Sequence, residues 1–446
     1  MSLKWSIVSS IAVRKAMSVR EDPEARFPRM VEWMRRFDPA GHHRRLFDAV
    51  EPIFKDESNN WNRLIRSFLA EIDPSFLEKM ISALAVNSAL VSAPKRTRVM
   101  ERELCNVPWA ILMDPTSACN LSCKGCWAAE YPKADWMDEA LLDRIIREGK
   151  ALGIYFYLYS GGEPLVRRAD LLRLAERHPD CFFLAFTNGT LVDERFAEES
   201  RRLGNIVLAI SVEGFEEETD LRRGIGTYRK AIRAMDLLKA RGVPFGFSTC
   251  YHRLNAEVVG SSEYVDLMIE KGCRFGWYFT YMPLGRDAKT ELLATEDQRA
   301  FMLRRVREFR KTKPIFLLDF WNDGEFVGGC IAGGRRYIHI NAAGDVEPCA
   351  FIHYSGANIR DMSLLDALKQ PLFKEYAEGQ PFNENHLRPC PLLDNPSRLR
   401  EMVFRSGARS TQLLDHEDVA SLADKCEGVS RRWAARADRL WKERET

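Results

Sequence analysis

Apolar positions follow two rhythms along this chain. From about Arg20 to Arg102 they recur at the three–four spacing of a helix face, as in Trp61, Leu64, Ile65, Phe68, Leu69 and Ile72. Asp73-Pro74-Ser75 interrupts that pattern and restarts it, with Ser75 as the expected cap of a helix from Phe76. This second helix holds an uncharged run, Met80 to Pro94, flanked by Lys79 and Lys95. Such a run falls short of the roughly 20 residues that cross a bilayer. No β-rich unit is expected before Asn106.

Beyond Asn106 short apolar strands alternate with helices. Val107–Met113 predicts a first strand and Asp138–Leu152 an amphipathic helix. Tyr155–Tyr159 and Phe182–Phe186 are strands that run into loops rich in Gly, Asn or Thr. Ile206–Val212, Phe245–Cys250 and Phe275–Tyr281 continue the series, with helices such as Tyr228–Arg241 between them. The fold class is therefore expected to be α/β: a partial (β/α)6 TIM-like barrel with its active loops at the carboxyl ends of the strands. From Trp321 the chain turns Gly-rich and hairpin-like, with Tyr337–Asn341, a turn at Ala343-Gly344-Asp345, and Val346. The expected division is a helical region over 1–104, the barrel over 105–320, a small β-hairpin/helix domain over 321–396, and a polar helical tail over 397–446.

Composition narrows the partners. The 446 residues allow two or three domains. Lys+Arg of 66 against Asp+Glu of 64 leaves a net charge of +2, which argues against a nucleic-acid surface. Residues 1–20 nonetheless carry Lys4, Arg14, Lys15 and Arg20 and no acid. Eleven cysteines, an odd number, without a clear export signal do not form a disulfide framework. A reducing cytoplasm is expected, where thiolates stay free to bind metal.

The densest chemistry is Cys119-Asn120-Leu121-Ser122-Cys123-Lys124-Gly125-Cys126, just after the first strand. Three thiolates on one loop can meet at a metal centre but leave it one protein ligand short. Zinc with a distant fourth ligand is one solution; an iron open to an outside molecule is another. This C-x3-C-x2-C spacing resembles the radical S-adenosylmethionine (SAM) superfamily. There a 4Fe-4S cluster binds SAM at its open iron and cleaves it to a 5′-deoxyadenosyl radical. Ser160-Gly161-Gly162-Glu163-Pro164 resembles the family's glycine–glycine–glutamate–proline loop, whose Glu163 would pair with the cofactor's ammonium. Asn188 in Thr187-Asn188-Gly189, and Ser211 and Glu213 in Ile210-Ser211-Val212-Glu213-Gly214, match positions that reach its methionine or ribose. Arg223 resembles the arginine that meets the carboxylate, and Pro283 stands in the loop that lies against adenine. One departure is Gly125, where the family has an aromatic; Trp127 follows instead.

Downstream, Cys330 is followed by thirteen residues, Gly344, four more, and Cys349. This resembles the opening of the SPASM or twitch domains that carry a second, auxiliary 4Fe-4S cluster, with Cys390 as a third ligand. Cys426 could supply the fourth ligand but sits in a charged helical tail, so the fourth position is expected to be open or non-cysteine, with Asp394 a candidate. Cys105, Cys181, Cys250 and Cys273 are expected to be buried structural thiols, and His339 and His353 structural groups.

The resemblance implies an oxidoreductase or transferase reduced by a ferredoxin or flavodoxin. For the substrate, Trp5, Val8, Ala12 and Ala16 opposite Lys4, Arg14 and Lys15 suit a helix lying on a membrane face. With the Met80–Pro94 run this favours a lipid or another long apolar substrate. A peptide is the alternative, and a non-catalytic iron–sulfur electron carrier is a third.

Overall fold

The structure, a computed structural model, describes residues 13–36, 48, 52, 53, 56–128, 135–285, 288–414 and 416–444. Its centre is one twisted sheet. Strands β1 (Ala110–Met113), β2 (Phe156–Tyr159), β3 (Phe182–Thr187), β4 (Ile206–Ser211), β5 (Phe245–Tyr251), β6 (Phe275–Thr280) and β7 (Phe316–Asp319) lie side by side in chain order, all parallel. Such strands are covered on both faces and so read as near-continuous apolar runs; every residue of β1, β2 and β4 is buried. The helix Glu139–Leu152 shows how the sequence places the crossovers. The Asp138 carboxylate caps it by accepting from Leu141 N–H, and Gly153 ends it at φ 96°, a left-handed conformation that glycine adopts without strain.

Six strand–helix units were expected, and β1–β6 supply them. β7 is an addition: only four residues, behind the charged helix Glu296–Thr312, with Phe316 exposed at the sheet edge. The hairpin expected near 337–346 forms as β8 (Tyr337–Ile340) and β9 (Val346–Glu347). β8 pairs parallel to β1, so the downstream cysteine segment is stitched onto the barrel sheet itself.

Asp73, not Ser75, caps the second N-terminal helix: its carboxylate accepts from Phe76 N–H, and Pro74 takes the first helical position, where no amide is needed. That helix runs from Pro74 to Glu103, long and apolar enough by length and composition to cross a membrane. It lies against the core instead. Ala83, Val86, Asn87 and Ser88 are buried, Asn87 Nδ2 donates to Asp180 O (3.0 Å), and Ser88 O accepts from Trp109 Nε1 (3.0 Å). Lys4, Trp5, Val8 and Ala12 of the expected membrane-facing helix lie outside the described residues. Val19 belongs to a small apolar cluster with Phe27 and Val31.

The polar tail also docks. The helix Val419–Lys442 buries Leu422, Ala423, Cys426 and Trp433, and Trp433 stacks under Arg299 at 4.3 Å while donating to Leu387 O.

A buried ionic knot joins β1 to the downstream segment. His339 on β8 sits between Asp114, just after β1 (2.9 Å), and Glu347 on β9 (2.6 Å), and Glu347 also meets His353 and Thr411. Burial alone would lower the His339 pKa; the carboxylates on its two ring nitrogens overcome this and raise it to about 10. A raised histidine pKa stabilises the fold fully below its ordinary value of 6.5, and that contribution fades as pH climbs from 6.5 toward 10. His339→Leu strands the buried Asp114 carboxylate and removes one of the partners of Glu347, and should cost about 3–5 kcal/mol in denaturant unfolding of the apoprotein. A loss under about 1 kcal/mol, within the range of a surface ion pair, would show that the knot carries no buried charge.

Candidate active site

The sheet's carboxyl end opens into a cavity of about 240 Å³ walled by both the cysteine loop and the loops of the following strands. Cys119, Cys123 and Cys126 all face it, as do Gly161, Gly162, Glu163, Asn188, Ser211 and Arg223. Nine of the eleven upstream residues singled out from the sequence thus share one chamber.

The glycine–glycine loop holds the chamber together in a way the sequence did not suggest. A Cβ on Gly162 would sit 2.2 Å from Ala118 O, so the close approach these glycines permit is to the cysteine loop. Gly162 N–H donates to Thr116 O (3.0 Å) and Glu163 N–H to Ala118 O (2.8 Å), clamping the backbone just before Cys119. The Glu163 carboxylate is fully buried and accepts from Thr187 Oγ1 (2.7 Å), Asn188 N–H (2.8 Å) and Leu165 N–H (2.9 Å). Burial pushes its pKa up despite these donors. Asn188 reaches back to Asn120 at 2.9 Å, tying β3 to the same loop.

Two expectations need correction. Glu213 does not face the chamber, because its buried carboxylate is committed to the Arg222 and Arg223 guanidiniums and to Cys250 N–H. It is a positioning residue for those arginines. Pro283 is also turned away, its carbonyl accepting from Lys425 Nζ, and the wall there is built by Tyr281 and Met282. Cys250 departs from its structural assignment in the other direction: it faces the chamber.

Arg222 was missed. It lines the chamber, and its Nη2 donates to Gly125 O (3.4 Å) inside the cysteine loop. Burial raises the Cys123 thiol pKa while Arg223 and Arg222 oppose that rise; burial takes Cys119 up to about 11. The missing aromatic at Gly125 is also accounted for. A Cβ there would lie 2.8 Å from the Tyr281 ring, which occupies the space instead.

A second cavity, about 790 Å³, holds Cys330, Cys349 and Cys390 on one wall. Burial pushes the Cys330 thiol up to about 11 and Cys390 up to about 12, and Tyr337 OH donates to Cys349 Sγ (2.6 Å). Thiols so buried need a strong cationic partner to ionise, which cluster iron supplies. Asp394 is poorly placed as a fourth ligand, since its buried carboxylate pairs with Arg299 (2.5 Å) and accepts from Cys390 N–H (3.0 Å). Cys426 is buried on the last long helix and does not line the cavity. Among the described residues neither triad is gathered as it would be around a single metal ion.

A parallel barrel sheet with one thiol triad at the carboxyl ends of its strands and a second triad beside it is the plan of a radical SAM enzyme with an auxiliary cluster. Residues 113–261 match the Radical SAM superfamily and residues 330–391 the SPASM iron–sulfur cluster-binding domain, and the chain belongs to that superfamily as an enzyme with a C-terminal SPASM domain. Its cofactors are SAM, a SAM-binding 4Fe-4S cluster and auxiliary iron–sulfur. Similar curated proteins include the AdoMet-dependent heme synthase of Methanosarcina barkeri, 26% identical over 58% of this chain and 81% of that one. The PqqA peptide cyclase of Granulibacter bethesdensis is 26% identical over 60% of this chain and 76% of its own. Among solved structures, SuiB of Streptococcus suis bound to S-adenosylmethionine shares the fold, with a TM-score of 0.57, 17% identity, and coverage of 76% of this chain and 82% of that one.

Proposed function

We propose that Cys119, Cys123 and Cys126 hold the SAM-binding cluster, that Cys330, Cys349 and Cys390 hold the auxiliary one, and that the substrate is a peptide. The observation that carries this reading is the common wall between the two cavities: Trp109, Trp277, Phe320, Tyr337 and Phe351 line both. A substrate in that aromatic passage lies between the two cysteine triads. With cluster and SAM bound and an electron from a ferredoxin or flavodoxin, the centre supplies a 5′-deoxyadenosyl radical that takes hydrogen from a nearby C–H bond. The chain's task is to exclude water and hold that bond in reach, and a wall of large aromatic rings does both.

The choice of a peptide over a lipid rests on two points. The Met80–Pro94 run, which favoured a lipid in the sequence, spends its buried face on the barrel. A chain similar over most of its length to this one is named for peptide cyclisation. Co-expression with short peptides encoded beside the gene, read by mass spectrometry, tests the reading. A mass change that disappears without Cys119 is expected. Peptides left intact, with SAM cleavage stimulated by an acyl lipid instead, would return the lipid substrate to first place.

Glu163 is proposed to meet the SAM ammonium from its buried position at the chamber wall. Glu163→Gln removes the charge and turns an NH2 toward one of three donors, so SAM affinity should fall roughly tenfold to a hundredfold with the iron content unchanged. Calorimetric titration of SAM into reconstituted protein measures this. Unchanged affinity would leave Glu163 as a loop clamp alone.

A further inference from the structure

The larger cavity carries two arginines that no carboxylate among the described residues neutralises. Arg96, on the Pro74–Glu103 helix, lines the larger cavity and is only 8% exposed. Its Nε donates to Ser92 Oγ (2.9 Å) and its Nη1 to Val107 O (3.4 Å), both neutral acceptors. Burial, with the nearby Arg336 charge, depresses its pKa to about 10, so it remains charged at neutral pH. Arg336 lines both cavities, just before β8. Its backbone is pinned, since its carbonyl accepts from Trp109 N–H (2.7 Å) and Ala110 N–H (3.0 Å). Among the described residues its guanidinium pairs with no acid. Among the described residues, the other arginines on these walls each have a carboxylate partner. Arg310 is matched by Asp323, and Arg222 and Arg223 by Glu213.

Other arginines act on the cysteine triads. The cation acting on Cys330 is Arg335, whose Nη1 donates to Cys330 O (2.7 Å), and those acting on Cys123 are Arg223 and Arg222. Arg96 and Arg336 instead line the larger cavity together, near enough for the Arg336 charge to act on Arg96. Arg96 is buried, so its charge, with a like charge nearby, costs free energy unless a third party of opposite sign enters.

We infer that Arg96 and Arg336 form a carboxylate-docking site in the larger cavity, beside the wall the two cavities share, taking a substrate that joins an apolar aromatic body to a carboxylate. Guanidiniums match carboxylates through paired N–H donors, and the rings of that wall would hold the apolar part. The inference deepens the peptide reading, on which the source of the carboxylate rests: an Asp or Glu side chain or a peptide terminus.

The test uses reconstituted protein under nitrogen, with two soluble probes that share the naphthyl body and end in a carboxylate or a neutral hydroxyl, 2-naphthylacetate and 2-naphthylethanol, titrated by calorimetry. The acid should bind at least about tenfold more tightly than the alcohol, a charge-assisted effect. Arg336→Gln, an exposed position whose replacement does not threaten folding, should remove that preference by weakening the acid alone. Arg336→Lys should keep part of it. Equal binding of the two probes to the unaltered protein would overturn the site, as would equal weakening of both in Arg336→Gln. Displacement of the acid separates the sources. A capped Trp-Phe-Asp peptide should displace it; displacement by a tetracarboxylic porphyrin alone would keep the docking site and remove the peptide. Displacement by neither overturns the site.

Discussion

Joint replacement of Cys119, Cys123 and Cys126 by Ala should abolish 5′-deoxyadenosine formation and remove one cluster, about four of the roughly eight irons that two 4Fe-4S centres hold per chain. The expectation is complete loss because no other thiol can stand in for the triad. Cys250 faces the same chamber, but it lies on β5 and not on the loop, and burial raises its pKa to about 11. Nor should the fold suffer. The cysteine loop is held by Thr116 O and Ala118 O accepting from Gly162 and Glu163, and by Asn120 with Asn188, none of which involves sulfur. Far-UV circular dichroism and retention of the auxiliary cluster check this directly. Deoxyadenosine made by the triple variant would refute the assignment of the SAM-binding cluster.

Much of this chamber could be read from the chain because parallel strands bury both faces and end in loops that carry function. What the loops hid was side-chain direction. Glu213 and Arg223 both lie in motifs expected to reach the cofactor, yet a turn of helix brings Arg222 and Arg223 back onto Glu213, and only the arginines look inward. A signal for the missed wall did exist in the parity of the strands. Ala110 and Leu112 of β1, Phe156 and Leu158 of β2, and Trp277 and Phe279 of β6 all face the cavity at a spacing of two. Ser248 pairs in register with Ser211, so Cys250, two residues on, had to face the same way. The Arg96–Arg336 pair had no such signal. It depends on where a helix from the first hundred residues lands on the sheet, and no local pattern fixes a contact between residues so far apart in sequence. The same landing decided the meaning of the Met80–Pro94 run, whose composition suits a membrane or a barrel face equally.

Replacing Cys330, Cys349 and Cys390 by Ala should remove the other cluster while uncoupled SAM cleavage continues, and should end modification of the true substrate. The two triads sit in different cavities: none of Cys119, Cys123, Cys126 or Glu163 lines the larger one, and none of the downstream cysteines lines the smaller. SAM held in the first chamber therefore has no direct contact with the second triad. The shared wall is where the change would be felt. Tyr337, which lines both cavities, donates to Cys349 Sγ, so loss of that sulfur frees the ring edge of the passage in which the substrate is proposed to lie. Iron analysis should then read about four per chain, with cleavage persisting in the absence of substrate. Unchanged iron would refute the auxiliary site. Cleavage lost together with the iron would show that the two centres depend on one another through that wall, against the independence the separate cavities imply.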